Sequence, residues 1–143
     1  MGGNSRSPVE LHAAVLNGFS TMTVAEAADI ISADLVLEEA SGLPFGGTYR
    51  GPQGFVDLMQ RIKRDYPTFD FALDLMLTDG EANIMFQGRM SAETPGGFLT
   101  MPVMERWRFE GDKAVEIVVC WHDSKRAYEM FTGTGAGEAA AHA

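Results

Sequence analysis

The hydrophobic rhythm of this chain changes near Pro67: before it apolar residues tend to recur every three or four positions, and after it they alternate, so helices should come first and strands later. In "SPVELHAAVLNGF" Ser7 is placed as an N-cap, with Pro8 at the first helical position and Glu10 completing a capping box, which predicts a helix to about Asn17. "TVAEAADIISAD" repeats the device with Thr23 and Glu26 and predicts a second helix ending near Ser32. "LVLEE" is short and β-like, and the Gly/Pro-rich "ASGLPFGGTYRG" follows it. Pro52 then opens a third helix in which Phe55, Met59 and Ile62 form the apolar stripe and Lys63, Arg64 and Asp65 look outward.

Past Pro67, "FDFALDLML" puts Phe69, Phe71, Leu73, Leu75 and Leu77 on one expected buried face. Thr78-Asp79-Gly80 turns the chain, and "EANIMFQGRMS" offers Ile84, Phe86 and Met90 on a shared face. "FLTMPVMERWRF" and "AVEIVVCWHD" follow, joined by the hairpin signal Glu110-Gly111-Asp112. This predicts an α+β fold, three N-terminal helices packed on one face of a strongly curved antiparallel sheet. The expected organisation is a disordered N-terminus over 1–7, one domain over 8–131 and a flexible tail over 132–143.

Composition narrows the partners. A chain of 143 residues can bury about two-thirds of its unfolded surface, enough for a real core without a staple. The net charge of −9 repels phosphate backbones, so nucleic acid and anionic membrane are not expected partners. No apolar run approaches a membrane span, and the start lacks a secretory signal, which together predict a cytoplasmic protein. Cys120 is the single cysteine, and no Cys/His spacing suggests a zinc site, so neither a disulfide nor a metal is expected.

The element order, with "SADLVLEEASGLPFGGTYRG" and "MERWRFEGDKAVEIVVCWHD", resembles the nuclear-transport-factor-2-like superfamily, in particular its ketosteroid isomerase and SnoaL-like polyketide cyclase branch. The likeness spans roughly residues 8–131. It implies a cone with an apolar pocket (cystatin-like, or ketosteroid isomerase-like), no cofactor, and a homodimer formed through the outer sheet face. That fold hosts isomerases, cyclases, hydrolases, dehydratases and binders, so activity has to be argued from the site.

Two glutamates carry the resemblance into chemistry. An ungapped match of "SADLVLEEASG" puts Glu39 where ketosteroid isomerases hold their proton-shuttling carboxylate, with Glu in place of Asp. Glu105, two residues before the aromatic of Trp107-Arg108-Phe109, falls where those enzymes hold a carboxylic acid that apolar surroundings keep protonated, so that it donates to the substrate oxyanion. Strand parity supports both placements. Leu35 and Leu37 share the Glu39 face while Glu38 points away, and Met101, Val103, Trp107 and Phe109 share the Glu105 face. A carboxylate among such neighbours should have a raised pKa. The alternatives are two rim-exposed glutamates at 38 and 39, and a structural Glu105 satisfied by a buried donor.

The last strand adds Asp123, which resembles the general acid/base of polyketide cyclases. If Phe109 lies opposite Lys113, Glu105 pairs with Ile117 and Leu99 with Asp123, and Asp123 points inward; a one-residue change of register brings in His122 instead. The other reading of Asp123 is an N-cap for "SKRAYEMF". Tyr49 could enter the cavity from the loop, cap the cone or lie in a dimer contact. Phe55, Met59, Phe86, Met101, Trp107 and Trp121 are the expected apolar contacts of the ligand.

Two departures limit the resemblance, and a nucleotide-binding reading of the Gly-rich loop is excluded as well. Val15 stands where the isomerases carry a first-helix Tyr that shares the oxyanion. Phe86 and Gly88 replace the Arg and Asp of limonene epoxide hydrolases, which excludes that Asp-Arg-Asp chemistry. "PFGGTYRG" has neither the Gly spacing nor the Lys of a phosphate loop. The expected function is carboxylate acid/base catalysis on an apolar carbonyl compound of steroid, polyketide or terpenoid size, by isomerisation, cyclisation or dehydration. The second reading is a non-catalytic binding or assembly module, whose methionines, among them Met59, Met85, Met90, Met101 and Met104, would give an adaptable pocket.

Overall fold

The computed structural model describes residues 21–134, together with Glu10 and Ala13. The first expected helix and the Val15 position therefore lie outside the described residues, apart from Glu10 and Ala13, which are helical. Helix α1 covers Val24–Ala27 and β1 covers Ile31–Glu39. Strand β2, Gly47–Arg50, leads directly into α2, Gly51–Asp65. Strands β3 (Asp70–Thr78), β4 (Asn83–Thr94), β5 (Gly97–Glu110) and β6 (Lys113–Trp121) follow, and α3, Ser124–Thr132, comes last.

The sheet is six-stranded in the order β2-β1-β6-β5-β4-β3. It is mixed, because β1 runs parallel to β6 while the other pairs are antiparallel. Three expectations change here. The helices are not all N-terminal, since α3 follows the last strand. The sheet is not wholly antiparallel, and it is open rather than strongly curled, with β2 and β3 as its edge strands among the described residues.

The capping box at Thr23 and Glu26 forms as expected, each residue's backbone N–H donating to the other's side chain at 3.0 and 3.1 Å. The helix behind it lasts only four residues. "ISAD" joins β1 instead, because Ile31 pairs with Ala114 of β6 and is buried in the core, a long-range gain that outweighs local helix propensity. In α2, Phe55, Val56, Leu58 and Ile62 are buried while Lys63, Arg64 and Asp65 face solvent, as the periodicity predicted.

Strand β3 departs from its expected face. Phe71 lies opposite Met90 and packs on the core, but the register shifts between Leu73 and Leu75. An extra residue there inverts the alternation, so Met76 turns inward opposite Phe86 and Leu75 and Leu77 turn out, 54% and 61% exposed.

The loop between β1 and β2 closes tightly, with the N–H of Leu43 donating to the carbonyl of Ala40 and that of Gly46 to Leu43. A Cβ at Gly46 would strike the Ala40 carbonyl oxygen, which explains the glycine. The turn drives Phe45 into an aromatic cluster, with ring centroids 6.1 Å from Tyr66, 5.9 Å from Trp121 and 5.2 Å from Phe131. Phe45→Ala should cost about 3–5 kcal/mol, read as a lower urea midpoint with unchanged m-value; an unchanged midpoint would show that the loop does not anchor the core.

Candidate functional site

The inner face of the sheet, with α2 beside it, lines a cavity open to solvent, with about 700 Å³ of empty space when the open solvent at its mouth is counted. Helix α2 contributes Phe55, Leu58, Met59 and Ile62 to its wall, and the strands contribute residues that strict alternation turns inward. Phe86, Trp107 and Trp121 line it with them, as expected from the sequence. Glu39 and Glu105 are the two acidic members of this wall, and no Lys, Arg or His is among the described lining residues.

Register sets the two acids side by side. Leu37 pairs with Ile117 and Glu38 with Val118, so one residue further Glu39 comes level with Val119. Val119 pairs in turn with Glu105. Two strand spacings separate their backbones, roughly 10 Å, a gap that two glutamate side chains can share with a small reacting centre. Phe86 stands opposite Glu105 on the next strand.

Each acid is held by one tryptophan. The indole N–H of Trp121 donates to Glu39 Oε1 at 2.8 Å, and the backbone N–H of Ala40 donates to the same oxygen at 3.0 Å. The indole N–H of Trp107 donates to Glu105 Oε1 at 2.8 Å. The second oxygen of each carboxyl accepts no hydrogen bond among the described residues. The indoles are themselves fixed by packing, Trp121 against Phe45, Phe69 and Phe131 and Trp107 against Phe55 and Phe109.

Burial dominates the electrostatics. Glu39 is only 7% exposed, and its desolvation pushes the carboxyl up to about 8, against the lowering effect of its two N–H donors; the charge of Glu105 raises it further. Glu105 is half-buried as a residue and lines the cavity, yet its carboxyl is desolvated enough to rise to about 7, with the Trp107 indole opposing.

The other expected site residues lie elsewhere. Strand β6 ends at Trp121, and Asp123 is exposed and caps α3, accepting from the N–H of Arg126 at 3.0 Å. The reading of Asp123 as a helix cap therefore describes its place, and the inward reading does not. The expected hairpin register is also corrected: Glu110 pairs with Lys113, and a shift between Arg108 and Phe109 brings Glu105 opposite Val119 rather than Ile117. The hairpin moves the partner by one residue and the shift by one more, two in all, which preserves parity and keeps Glu105 inward. His122 is exposed, its backbone N–H donating to Pro102.

Tyr49 is not in the cavity wall. Its hydroxyl donates to the Phe45 carbonyl at 2.7 Å and accepts from Arg61 at 3.3 Å, while Arg61 also donates to the Pro44 carbonyl, so the three residues clamp the loop to α2. Met101 is buried core opposite Met90 and is likewise not part of the wall. The sequence reading missed Phe69 and Phe71 as wall residues and the two indole–carboxyl bonds. The Trp107–Glu105 bond was accessible from their spacing, because residues two apart on a strand share a face. Trp121–Glu39 joins positions 82 apart in sequence and depends on the β1–β6 pairing.

Among the described residues no three His, Cys, Asp or Glu side chains cluster as metal ligands would, and no helix is long and apolar enough to cross a membrane. The geometry instead offers two carboxyl groups of raised pKa, able to exchange a proton with whatever occupies the space between them.

Similar proteins place the fold. An NTF2-like protein from Burkholderia thailandensis is 25% identical, with 85% of this chain and 97% of that one covered and a TM-score of 0.71. One from Burkholderia pseudomallei is 18% identical, covering 87% and 96%, with a TM-score of 0.73. A protein of ketosteroid isomerase-like fold from Catenulispora acidiphila, in complex with trimethylamine, is 12% identical, covering 80% and 86%, with a TM-score of 0.66. The latter two likenesses carry the fold and nothing about a ligand. No curated protein matches the chain. The SnoaL-like domain model matches residues 12–117, and the chain belongs to that family.

Proposed function

We propose that the chain is a small-molecule enzyme that moves a proton by carboxyl acid/base catalysis on an apolar carbonyl compound, leading to isomerisation, cyclisation or dehydration. The observation that carries this reading is the placement of Glu39 and Glu105 at one level of the sheet, facing one apolar cavity whose described wall holds no Lys, Arg or His. A pair with values near 7 and 8 is singly ionised around neutrality. Glu105, the less buried residue of the two, is assigned as the base that takes a proton from carbon. Glu39 keeps its proton and donates to the oxygen on which charge develops. These roles are the reverse of those the resemblance implied. In neutral Glu39 the proton sits on Oε2, because Oε1 already accepts two N–H groups.

The test needs no knowledge of the natural substrate. 5-Nitrobenzisoxazole is a neutral aromatic that opens when a base removes its ring C–H proton: the N–O bond breaks and its electrons pass to the phenolic oxygen. The rate should follow a bell in pH, rising as Glu105 ionises near 7 and falling as Glu39 loses its proton near 8. A rate no faster than that of the Glu39→Gln/Glu105→Gln double variant would remove the enzymatic reading.

The exposed row of Leu75, Leu77 and Met85, with Met104 beside it, supports the expected homodimer through the outer sheet face, since monomers rarely leave such patches bare. Light scattering should give a dimer mass, and Leu77→Glu with Met85→Glu should give a monomer. A monomeric parent chain would contradict this.

A further inference from the structure

The cavity wall is unbalanced in charge. It carries two carboxyl groups and no Lys, Arg or His among its described residues; Arg61 donates to Pro44 and Tyr49, and Arg106 and Arg108 form ion pairs with Glu116. Buried carboxylates without a counter-charge are costly, and a neutral occupant leaves that cost in place. The rest of the wall is rich in aromatic rings, with Phe55, Phe69, Phe71, Phe86 and both tryptophans. Each indole spends its one polar hydrogen on a carboxyl group, and aromatic faces attract cations.

We propose that the cavity is built for an organic cation, an apolar skeleton bearing a protonated or quaternary nitrogen, with its charge seated between Glu39 and Glu105 and against the tryptophan rings. This rests on the reading of the cavity as the ligand site and narrows the substrate class to amino ketones and related amines. A monocation makes the filled cavity neutral when one of the two carboxyl groups is ionised. The second carboxyl then remains able to donate its proton. An anionic ligand of the same size meets like charge and should be excluded.

The experiment compares benzyltrimethylammonium with neopentylbenzene, which has nearly the same shape and no charge. The chain contains two tryptophans, so its two indole N–H resonances report directly on the two carboxyl partners. At pH 8 benzyltrimethylammonium should shift both resonances and bind at least about tenfold more tightly than neopentylbenzene. The preference should shrink at pH 5.5, where both carboxyl groups are protonated and the probe keeps its charge. It should also shrink in Glu39→Gln/Glu105→Gln, with the single variants read in the same way should the double variant fail to fold. Equal binding, preference for the neutral probe, absence of binding by either, or a preference undiminished by the Gln substitutions would each overturn the proposal. None of these decides proton transfer, because 5-nitrobenzisoxazole is neutral and its turnover is read separately.

Discussion

Glu105→Gln is expected to slow the opening of 5-nitrobenzisoxazole by about 10²–10⁴-fold, the contribution typical of a positioned general base. The amide keeps an oxygen to accept the Trp107 indole N–H, so the wall retains its shape while the proton acceptor is lost. Glu39→Gln should act differently. Its amide can still donate a hydrogen bond to the developing oxyanion, so a smaller loss is expected, together with disappearance of the alkaline limb of the pH profile. Equal rates for the parent and Glu105→Gln, with the fold intact by amide spectra, would show that Glu105 is not the base.

The second large effect is on stability. Glu39 and Glu105 ionise near 4.5 when unfolded and near 8 and 7 when folded. A raised folded value means that the folded state holds its proton more firmly. The resulting stabilisation is fully present below about pH 4.5 and is lost as pH rises through the folded values. For Glu39 alone the loss amounts to roughly 5 kcal/mol once pH exceeds 8. The chain should therefore have a lower urea midpoint at pH 9 than at pH 5, and the Glu39→Gln/Glu105→Gln variant should be the more stable protein at pH 9. Parallel pH profiles for the two proteins would mean that neither carboxyl is desolvated.

These acids were legible because strand parity is a local property. Leu35 and Leu37 orient Glu39, and Met101, Val103 and Trp107 orient Glu105, whatever the rest of the fold does. Long-range pairing was not legible. The end of β6 at Trp121 removed Asp123 and His122 from the cavity, and the pairing of Ile31 with Ala114 turned an expected helical end into strand. The bulge in β3 is a single extra residue with no glycine or proline to announce it, yet it moved Leu75 and Leu77 from core to surface. The family was legible in "SADLVLEEASGLPFGGTYRG" and "MERWRFEGDKAVEIVVCWHD", and the family match covers the first whole and most of the second; ligand charge depends on what surrounds two carboxyl groups, and only the packed wall shows that.

Carbon-13 NMR titration of the glutamate side-chain carboxyl groups, assigned with the two single Gln variants, tests the central claim most directly. Two resonances should titrate near pH 7 and 8 and belong to Glu105 and Glu39. Titration of both near 4.5 would contradict the account.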